Sequence, residues 1–292
     1  MKNENYTYQD DTLIIQEGVV QIEEGDYPVE TRRIEIPSSV KEISARAFFN
    51  LAHLESVLFS EGLEVIGDMA FSECFSLEEL NLPDSLRIIK NKVFADCVSL
   101  RQVRIPKGIE EIGTQAFFNC QNLQRVEMMG ASEGLSDDDS CNAQIQNDLS
   151  KDKFPISNLK TIEQGTFQKC FSLEEILLPE GIETIGFDAF EGCSRLTSFR
   201  YPSSLKEIRE GAFVGCLNLK PQKKLKNVRI DSHAYRESLG TRVDNWACRG
   251  TAEQHLGDFL GDFLWFVATA PWILLLLLIP VILIIVLLFK IL

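Results

Sequence analysis

The chain has 292 residues, of which 45% are apolar and 25% charged, so it is neither disordered nor collagen-like and can bury a core. Its formal net charge of -14, from 43 acidic against 29 basic side chains, argues against nucleic acid as a ligand, because phosphate contacts need clustered Lys and Arg. The eight cysteines could indicate a disulfide scaffold, but that interpretation applies to short secreted chains and depends on cysteine spacing.

Residues 1–33 are predicted to form an N-terminal cap. The segment from Gly18 to Tyr27 matches half of the repeat unit described next, with Tyr27 in the place of a phenylalanine. A degenerate repeat of this kind covers the apolar end of a solenoid. The first thirty residues lack a charged start, an apolar stretch and a small-residue cleavage site. We therefore see no secretory signal and expect the domain to stay on the cytosolic side of a membrane.

Residues 34–129 and 157–236 carry a repeat with a period of 23 residues. Each unit has an Ile, a Phe five residues later, then a Cys and a Leu at successive steps of three, except that Leu51 replaces the Cys in the first unit. These columns are Ile43, Ile66, Ile89, Ile112, Ile162, Ile185 and Ile208; Phe48, Phe71, Phe94, Phe117, Phe167, Phe190 and Phe213; Cys74, Cys97, Cys120, Cys170, Cys193 and Cys216; and Leu54, Leu77, Leu100, Leu123, Leu173, Leu196 and Leu219. One unit cannot bury its own apolar face, so neighbouring units must stack around a continuous core.

Within each unit, an alternating run such as LRQVRIP predicts a brief strand, and the segment carrying Ala-Phe predicts a compact turn. The first range holds repeats one to four, and the second holds repeats five to seven with a C-terminal cap in which Ala234 and Tyr235 echo the Ala-Phe pair. The pattern IPxGIxxIGxxAFxxCxxLxxV resembles the BspA-type leucine-rich repeats, known from bacterial and protist surface and interaction proteins. The match covers residues 34 to about 220. The resemblance implies a right-handed solenoid with a parallel sheet along one face, and protein recognition by that face.

We therefore predict an α/β-type repeat solenoid of short parallel strands and compact turns, followed by a C-terminal transmembrane helix. Residues 130–156 interrupt the repeats with an acidic polar loop that includes Asp137, Asp138 and Asp139. Its polarity favours a surface loop. This loop is either a tolerated insertion or a segment that attracts a partner or a cation. A calcium site needs spaced oxygen ligands around a glycine, and the sequence DDDS lacks that layout.

The end of the chain is predicted to hold a membrane anchor. Residues 237–264 are predicted to form a linker and an interfacial segment, in which Asp258 and Asp262 lie on one face of a helix. Residues 265–292 form the predicted tail anchor, because residues 272–289 contain no charge and as a helix span about 27 Å, close to the ~30 Å bilayer core. A buried core helix is the alternative, but the segment has no polar face. We expect residues 272–289 to contact the lipid bilayer in a single pass.

Chemistry-bearing residues do not form a recognisable motif in the sequence. The in-register cysteines could suggest a metal or redox site, but ligand pairs sit two to four residues apart and no CxxC occurs. Stacked in a solenoid, they are small core residues, whereas Cys141 and Cys248 are expected to be exposed. His53, His233 and His255 are scattered without a partner motif. We predict no catalytic, cofactor-binding or metal-binding residue.

The outward positions of the predicted strands remain as a candidate binding surface. Its middle row consists of Leu58, Asn81, Arg104, Glu127, Leu177 and Arg200. This mixture of charges and isolated leucines suits recognition of a protein across an extended surface, although exposed strand positions could also be merely solvated. We predict a non-enzymatic, tail-anchored scaffold that binds an unidentified protein partner. The alternative is a cell-surface adhesin or antigen-like protein whose repeats face outward.

Overall fold

The computed structural model describes residues 5–128, 158–220 and 225–236. Within these ranges the chain forms eighteen strands and no helix. In chain order they are β1 (Tyr6–Gln9), β2 (Thr12–Ile15), β3 (Gln21–Ile22), β4 (Arg33–Ile36), β5 (Glu42–Ile43), β6 (Ser56–Phe59), β7 (Val65–Ile66), β8 (Glu79–Asn81), β9 (Ile88–Ile89), β10 (Gln102–Ile105), β11 (Glu111–Ile112), β12 (Arg125–Met128), β13 (Thr161–Ile162), β14 (Glu175–Leu177), β15 (Thr184–Ile185), β16 (Ser198–Arg200), β17 (Glu207–Ile208) and β18 (Arg229–Ile230).

The strands line two sides of a solenoid. The longer strands stack in the order β1-β2-β4-β6 and then β8-β10-β12-β14-β16, and we call the outward side of this row the long-strand face. The two-residue strands stack separately as β3-β5-β7-β9-β11 and β13-β15-β17-β18. All pairings are parallel except that of β1 with β2, which closes the N-terminal end with an antiparallel strand. The resemblance implied a sheet along one face, and the structure adds a second one.

The interior consists of columns of identical side chains, as the 23-residue period predicts. The seven phenylalanines are at most 1% exposed, and their rings lie 5.2 to 5.5 Å from the next ring along the column. Tyr27 continues the column at one end and Tyr235 at the other, at 5.1 and 5.0 Å. The rings of consecutive turns thus form one aromatic spine. From Phe71 to Tyr235 the rings are stacked, an arrangement that buried aromatic residues favour, whereas Tyr27 and Phe48 are tilted against the next ring by 43° and 32°.

The α/β class predicted from the sequence needs correction for the described residues, because the segment after each short strand is a wide turn instead of a helix. Each turn places two residues four apart in the left-handed region, such as Arg46 (φ 58°) and Asn50 (φ 59°). The two columns are Arg46, Met69, Lys92, Gln115, Gly165, Asp188 and Gly211; and Asn50, Glu73, Asp96, Asn119, Lys169, Gly192 and Gly215. A right-handed helix cannot contain such residues, whereas the predicted compact turns can.

Replacing Lys92 by Gly is expected to raise the free energy of unfolding by about 0.5–1 kcal/mol. Lys92 is exposed with φ at 56°, and a left-handed residue with a Cβ costs roughly 1–2 kcal/mol, of which the entropy lost by ordering a glycine offsets roughly 0.5–1. Lys107→Gly is the matched control, since this exposed lysine has no positive φ and should lose stability. Urea unfolding of both variants checks the sign; destabilisation by both would contradict the strain argument.

The solenoid continues across residues 129–157, which lie outside the described residues together with the predicted acidic loop. Strand β12 pairs with both β10 and β14, and the rings of Phe117 and Phe167 stack at 5.4 Å with an interplanar angle of 6°. The backbone N–H of Phe117 also donates to the carbonyl of Thr166 at 2.9 Å. The 50-residue spacing from Phe117 to Phe167 is therefore one turn of the solenoid with extra chain inserted after β12.

The predicted linker and tail anchor, residues 237–264 and 265–292, also lie outside the described residues. Among the residues that the structure does describe, no helix is long and apolar enough to cross a membrane.

Candidate partner-binding face

The six residues predicted as a binding row all lie on the long-strand face, one on each of β6, β8, β10, β12, β14 and β16. Cα pairing places Asn81 opposite Arg104, Arg104 opposite Glu127, and Leu177 opposite Arg200. The inward residues between them, such as Val103 and Ile176, are completely buried. This is the alternation that a strand with one face on a core must show. Sequence periodicity therefore located the row correctly, while partner binding by it stays a prediction.

Exposure differs along this row. Leu58 is 64% exposed, and Asn81 and Arg104 are also exposed, whereas Glu127, Leu177 and Arg200 are half-buried. Register extends the row by Glu35, which pairs with Leu58, and by Ile14, which pairs with Glu35. These two N-terminal members were not predicted. The alternating run RIEI could have identified Glu35, because it has the same period of two as the later strands, whereas the three consecutive apolar residues of TLII give no such signal for Ile14.

Two further rows of the long-strand face carry most of its charge. Successive backbone hydrogen bonds join Arg32, Glu55, Glu78, Arg101, Gln124, Glu174 and Thr197 into a row that precedes the strands. The next row consists of Arg33, Ser56, Glu79, Gln102, Arg125, Glu175 and Ser198. Strand pairing joins the first two members in one sheet and the last five in the other. The ion pairs Arg32–Glu55 at 2.5 Å and Arg125–Glu127 at 3.4 Å involve side chains that are at least 40% exposed, so each contributes little to stability.

The six in-register cysteines are buried free thiols, and each donates a hydrogen bond across to the preceding turn. The Sγ of Cys120, for example, lies 3.2 Å from the carbonyl oxygen of Phe94, and the same contact repeats in all six at 3.1 to 3.4 Å. They are thus more than the apolar fillers expected from the sequence. Burial raises the pKa of Cys74 to about 12 and the pKa of Cys97 well above its ordinary value. Such thiols stay protonated and poorly nucleophilic at neutral pH.

Thiol labelling of the folded chain is expected to modify at most two cysteines. Eight cysteines are present and six of them lie in the buried ladder, which leaves only Cys141 and Cys248 outside the described residues. An aromatic disulfide reagent at neutral pH should therefore reach the six ladder thiols only after denaturant is added. Rapid labelling of more than two thiols in the native protein would instead support a redox-active cysteine array.

The histidines lie apart from any catalytic arrangement in the described residues. His53 is exposed, and the Nδ1 of His233 lies 3.2 Å from the Oε1 of Glu210; His255 lies outside the described residues. Near His233 an open acidic depression is lined by Asp188, Glu191 and Glu210, and burial followed by repulsion from these two glutamates raises the pKa of Asp188. Across the described ranges no group of three His, Cys, Asp or Glu side chains is placed to hold a metal ion.

Comparisons with known proteins agree with this architecture. The family model of the BspA type leucine rich repeat region matches residues 27–138 and 139–241, with six copies. A leucine-rich repeat protein of Treponema pallidum is 26% identical, with 67% of this chain and 90% of that chain covered and a TM-score of 0.50. A leucine-rich repeat protein from Eubacterium ventriosum is 14% identical over 78% of this chain and 82% of that chain, with a TM-score of 0.42.

A leucine rich cell surface protein from Faecalibacterium prausnitzii is 17% identical, with 82% of this chain and 98% of that chain covered and a TM-score of 0.33. No curated protein matches the chain in sequence. The period, the columns and the family model coincide over the same residues, so the chain belongs to the BspA-type leucine-rich repeat family.

Proposed function

We propose that this protein is a non-enzymatic scaffold that binds a protein partner through the long-strand face. One observation carries the proposal: exposed side chains form three rows across the long strands from β4 to β16. Backbone pairing holds the rows in register within each of the two long-strand sheets, and the hydrogen bond from the N–H of Glu78 to the carbonyl of Glu55 joins the turns of β6 and β8. Such a surface is rigid, because the residues that alternate with the exposed ones along each strand are packed in the core. Binding a partner therefore costs little conformational entropy of the backbone. Leucine-rich repeat solenoids offer extended surfaces of this kind to macromolecular partners.

The chemistry of the face suits a protein better than a small molecule. Leu58 presents a large apolar side chain at 64% exposure, and it lies opposite Glu35 in the middle row. An isolated apolar contact surrounded by polar and charged groups is the composition of protein interfaces, in which the rim is polar. Small-molecule sites are concave and mostly apolar, which this exposed mixed row is not.

Site-specific photo-crosslinking tests the face directly. A photoreactive amino acid at position 58 or 177 is expected to crosslink a protein partner, because both positions lie in the middle row. Position 29 is the matched control, since Val29 in the N-terminal cap is 63% exposed, against 64% for Leu58. Crosslinking of one defined partner from positions 58 and 177, with none from position 29, supports the proposal. Equal crosslinking from all three positions would contradict it.

We further propose that residues 272–289 anchor the scaffold in a membrane with the repeats in the cytosol. The support for the anchor is the charge-free run of apolar residues, which as a helix is close in length to the hydrocarbon core of a bilayer. The competing function, a surface adhesin with outward repeats, is favoured by the surface location of family members. Both functions use the same face, and they differ in topology.

Protease protection on intact cells separates these two functions. The protein carries an N-terminal epitope, and protease is added before and after the membrane is permeabilised. Protection until permeabilisation supports the cytosolic scaffold, whereas loss of the epitope from intact cells overturns it and makes adhesion the leading function. Deletion of residues 272–289 provides the control for anchoring, since the truncated chain should leave the membrane fraction.

A further inference from the structure

In the two rows that precede the middle row of the long-strand face, charges are grouped into bands of alternating sign along the solenoid, whereas the middle row carries Glu35, Arg104, Glu127 and Arg200. We number the turns one to seven by their phenylalanines, from Phe48 to Phe213, and assign to them in order the strands β4, β6, β8, β10, β12, β14 and β16. The first turn is basic through Arg32 and Arg33, and the sixth is acidic through Glu174 and Glu175. In these two rows the acidic side chains of turns two and three are Glu55, Glu78 and Glu79, and the basic ones of turns four and five are Arg101 and Arg125.

Two copies could place these faces together around a two-fold axis that lies in the interface and runs parallel to the strands. Such an axis keeps every residue in its own row but reverses the order of the turns. With the axis between turns three and four, turn one meets turn six, turn two meets turn five, and turn three meets turn four. A two-fold interface of this kind is self-complementary, and most homodimers use it.

In this register, opposite charges meet and like charges do not. The row that precedes the strands pairs Arg32 with Glu174, Glu55 with Gln124, and Glu78 with Arg101. The next row pairs Arg33 with Glu175, Ser56 with Arg125, and Glu79 with Gln102. The middle row pairs Glu35 with Leu177, Leu58 with Glu127, and Asn81 with Arg104.

Neighbouring registers bring like charges together, which costs several kcal/mol in a close interface. An axis on turn three sets Arg33 against Arg125 of the other copy. An axis on turn four sets Glu55 against Glu174. A two-fold axis that runs parallel to the solenoid axis would instead set Arg33 of one copy against Arg33 of the other, and Glu79 against Glu79. The charge pattern therefore selects a single antiparallel register.

We propose that the partner of the long-strand face is a second copy of this chain, docked antiparallel in that register. The inference rests on the proposed function, since it uses the same face and names its occupant. The six facing strands at ~4.8 Å and about five residues at ~3.3 Å give a total interface on the order of 950 Å². This is the size of a weak, transient interface, and no pairing joins two apolar side chains. The dimer is therefore weak and held by charge, and it dissociates as salt rises.

A charge-swap experiment tests the register on the full-length chain in nonionic detergent, by sedimentation velocity at low and high salt. One variant carries Arg32→Glu with Arg33→Glu, and the other carries Glu174→Arg with Glu175→Arg. Each variant alone should dimerise about a hundredfold more weakly, because four attractive pairings become repulsive. An equimolar mixture should restore the dimer, since every swapped charge then meets its opposite. These side chains are exposed, so the substitutions leave the core intact.

Either of two results would overturn the inference. One is a wild-type chain that stays monomeric at low salt, and the other is a dimer that both variants form as well as the wild type does. The second result would place self-association on another part of the chain. Neither result touches the photo-crosslinking test, because a different protein could still be captured from positions 58 and 177. Crosslinking of a different protein by a monomeric chain would thus retain the proposed function and remove the second copy as its partner.

Discussion

Replacing Phe117 by Ala is expected to lower the free energy of unfolding by about 4 kcal/mol. Phe117 is fully buried at the middle of the aromatic spine, with ring centroids 5.4 Å from those of both Phe94 and Phe167. The backbone of its turn is hydrogen-bonded to the turns on both sides, as in the N–H of Phe117 donating to Thr166. The cavity left by the ring can therefore hardly collapse, and its cost adds to the lost transfer free energy.

Equilibrium unfolding in urea, followed by circular dichroism, measures this loss. Phe75→Ala is the matched control, because Phe75 is a phenylalanine of the same solenoid but 39% exposed, and its loss should cost under about 1 kcal/mol. Because each turn contacts only its neighbours, the damaged turn can also unfold separately, which would appear as a broader transition for Phe117→Ala. Equal losses in the two variants would show that the spine adds nothing beyond ordinary burial.

Most of the core could be predicted from the sequence because a solenoid repeats one set of contacts. The columns headed by Ile43, Phe48 and Leu54 recur every 23 residues, and all three residues are at most 1% exposed. A residue that keeps its type at a fixed period has the same neighbours in each turn, so one interpretation fixes many positions. The inward and outward alternation of the strands followed from the same regularity, and with it the row from Leu58 to Arg200.

The left-handed backbone conformation within the turns could not be predicted in this way, because residues of many types occupy the left-handed positions. The left-handed positions hold Met69, Lys92, Gln115 and Asp188, and only some turns use a glycine there. Neighbouring turns hold these residues in place through hydrogen bonds such as that from the N–H of Met69 to the carbonyl of Asn91, at 2.9 Å. Tertiary contacts therefore override local preference, and the segment forms a wide turn instead of the helix implied by the α/β class.

The candidate face was predictable as a row of residues but not as a pattern of charge. The other two rows lie two and three positions before the middle row in each repeat, with a buried residue such as Ile34 or Val103 between them and the middle row. Only the strand register shows which charges become neighbours across turns. The charge pattern continues to Glu174 and Glu175 beyond the insertion after β12. In the sequence these two residues are about 50 positions away from their neighbours in the previous turn.

The structure also explains a second, longer period in the sequence. The position after each short strand is Gly67, Gly113 and Gly186 in turns two, four and six, but Ser44, Lys90, Glu163 and Arg209 in the odd turns. A nearby charged position alternates in the same way, with a base in odd turns and an acid in even turns. Lys41 of turn one pairs with Glu64 of turn two at 3.7 Å, and Lys206 of turn seven pairs with Glu183 of turn six at 2.6 Å. The structural unit therefore comprises two turns, in which an even turn packs its glycine against the backbone of the odd turn before it.

Replacing Gly113 by Ala is accordingly expected to destabilise the domain by about 2–3 kcal/mol. A Cβ at this position would lie 2.6 Å from the carbonyl carbon of Lys90 and 2.7 Å from the backbone nitrogen of Asn91, and backbone in a continuous ladder cannot move aside cheaply. Gly25→Ala is the control, because the nearest atom to its Cβ is a ring carbon of Tyr27 at 3.5 Å. Urea unfolding should show a loss for Gly113→Ala alone. Similar stability of the two variants would contradict this prediction. It would mean that neighbouring turns can move apart to make room for a Cβ, and that close packing does not cause the two-turn period.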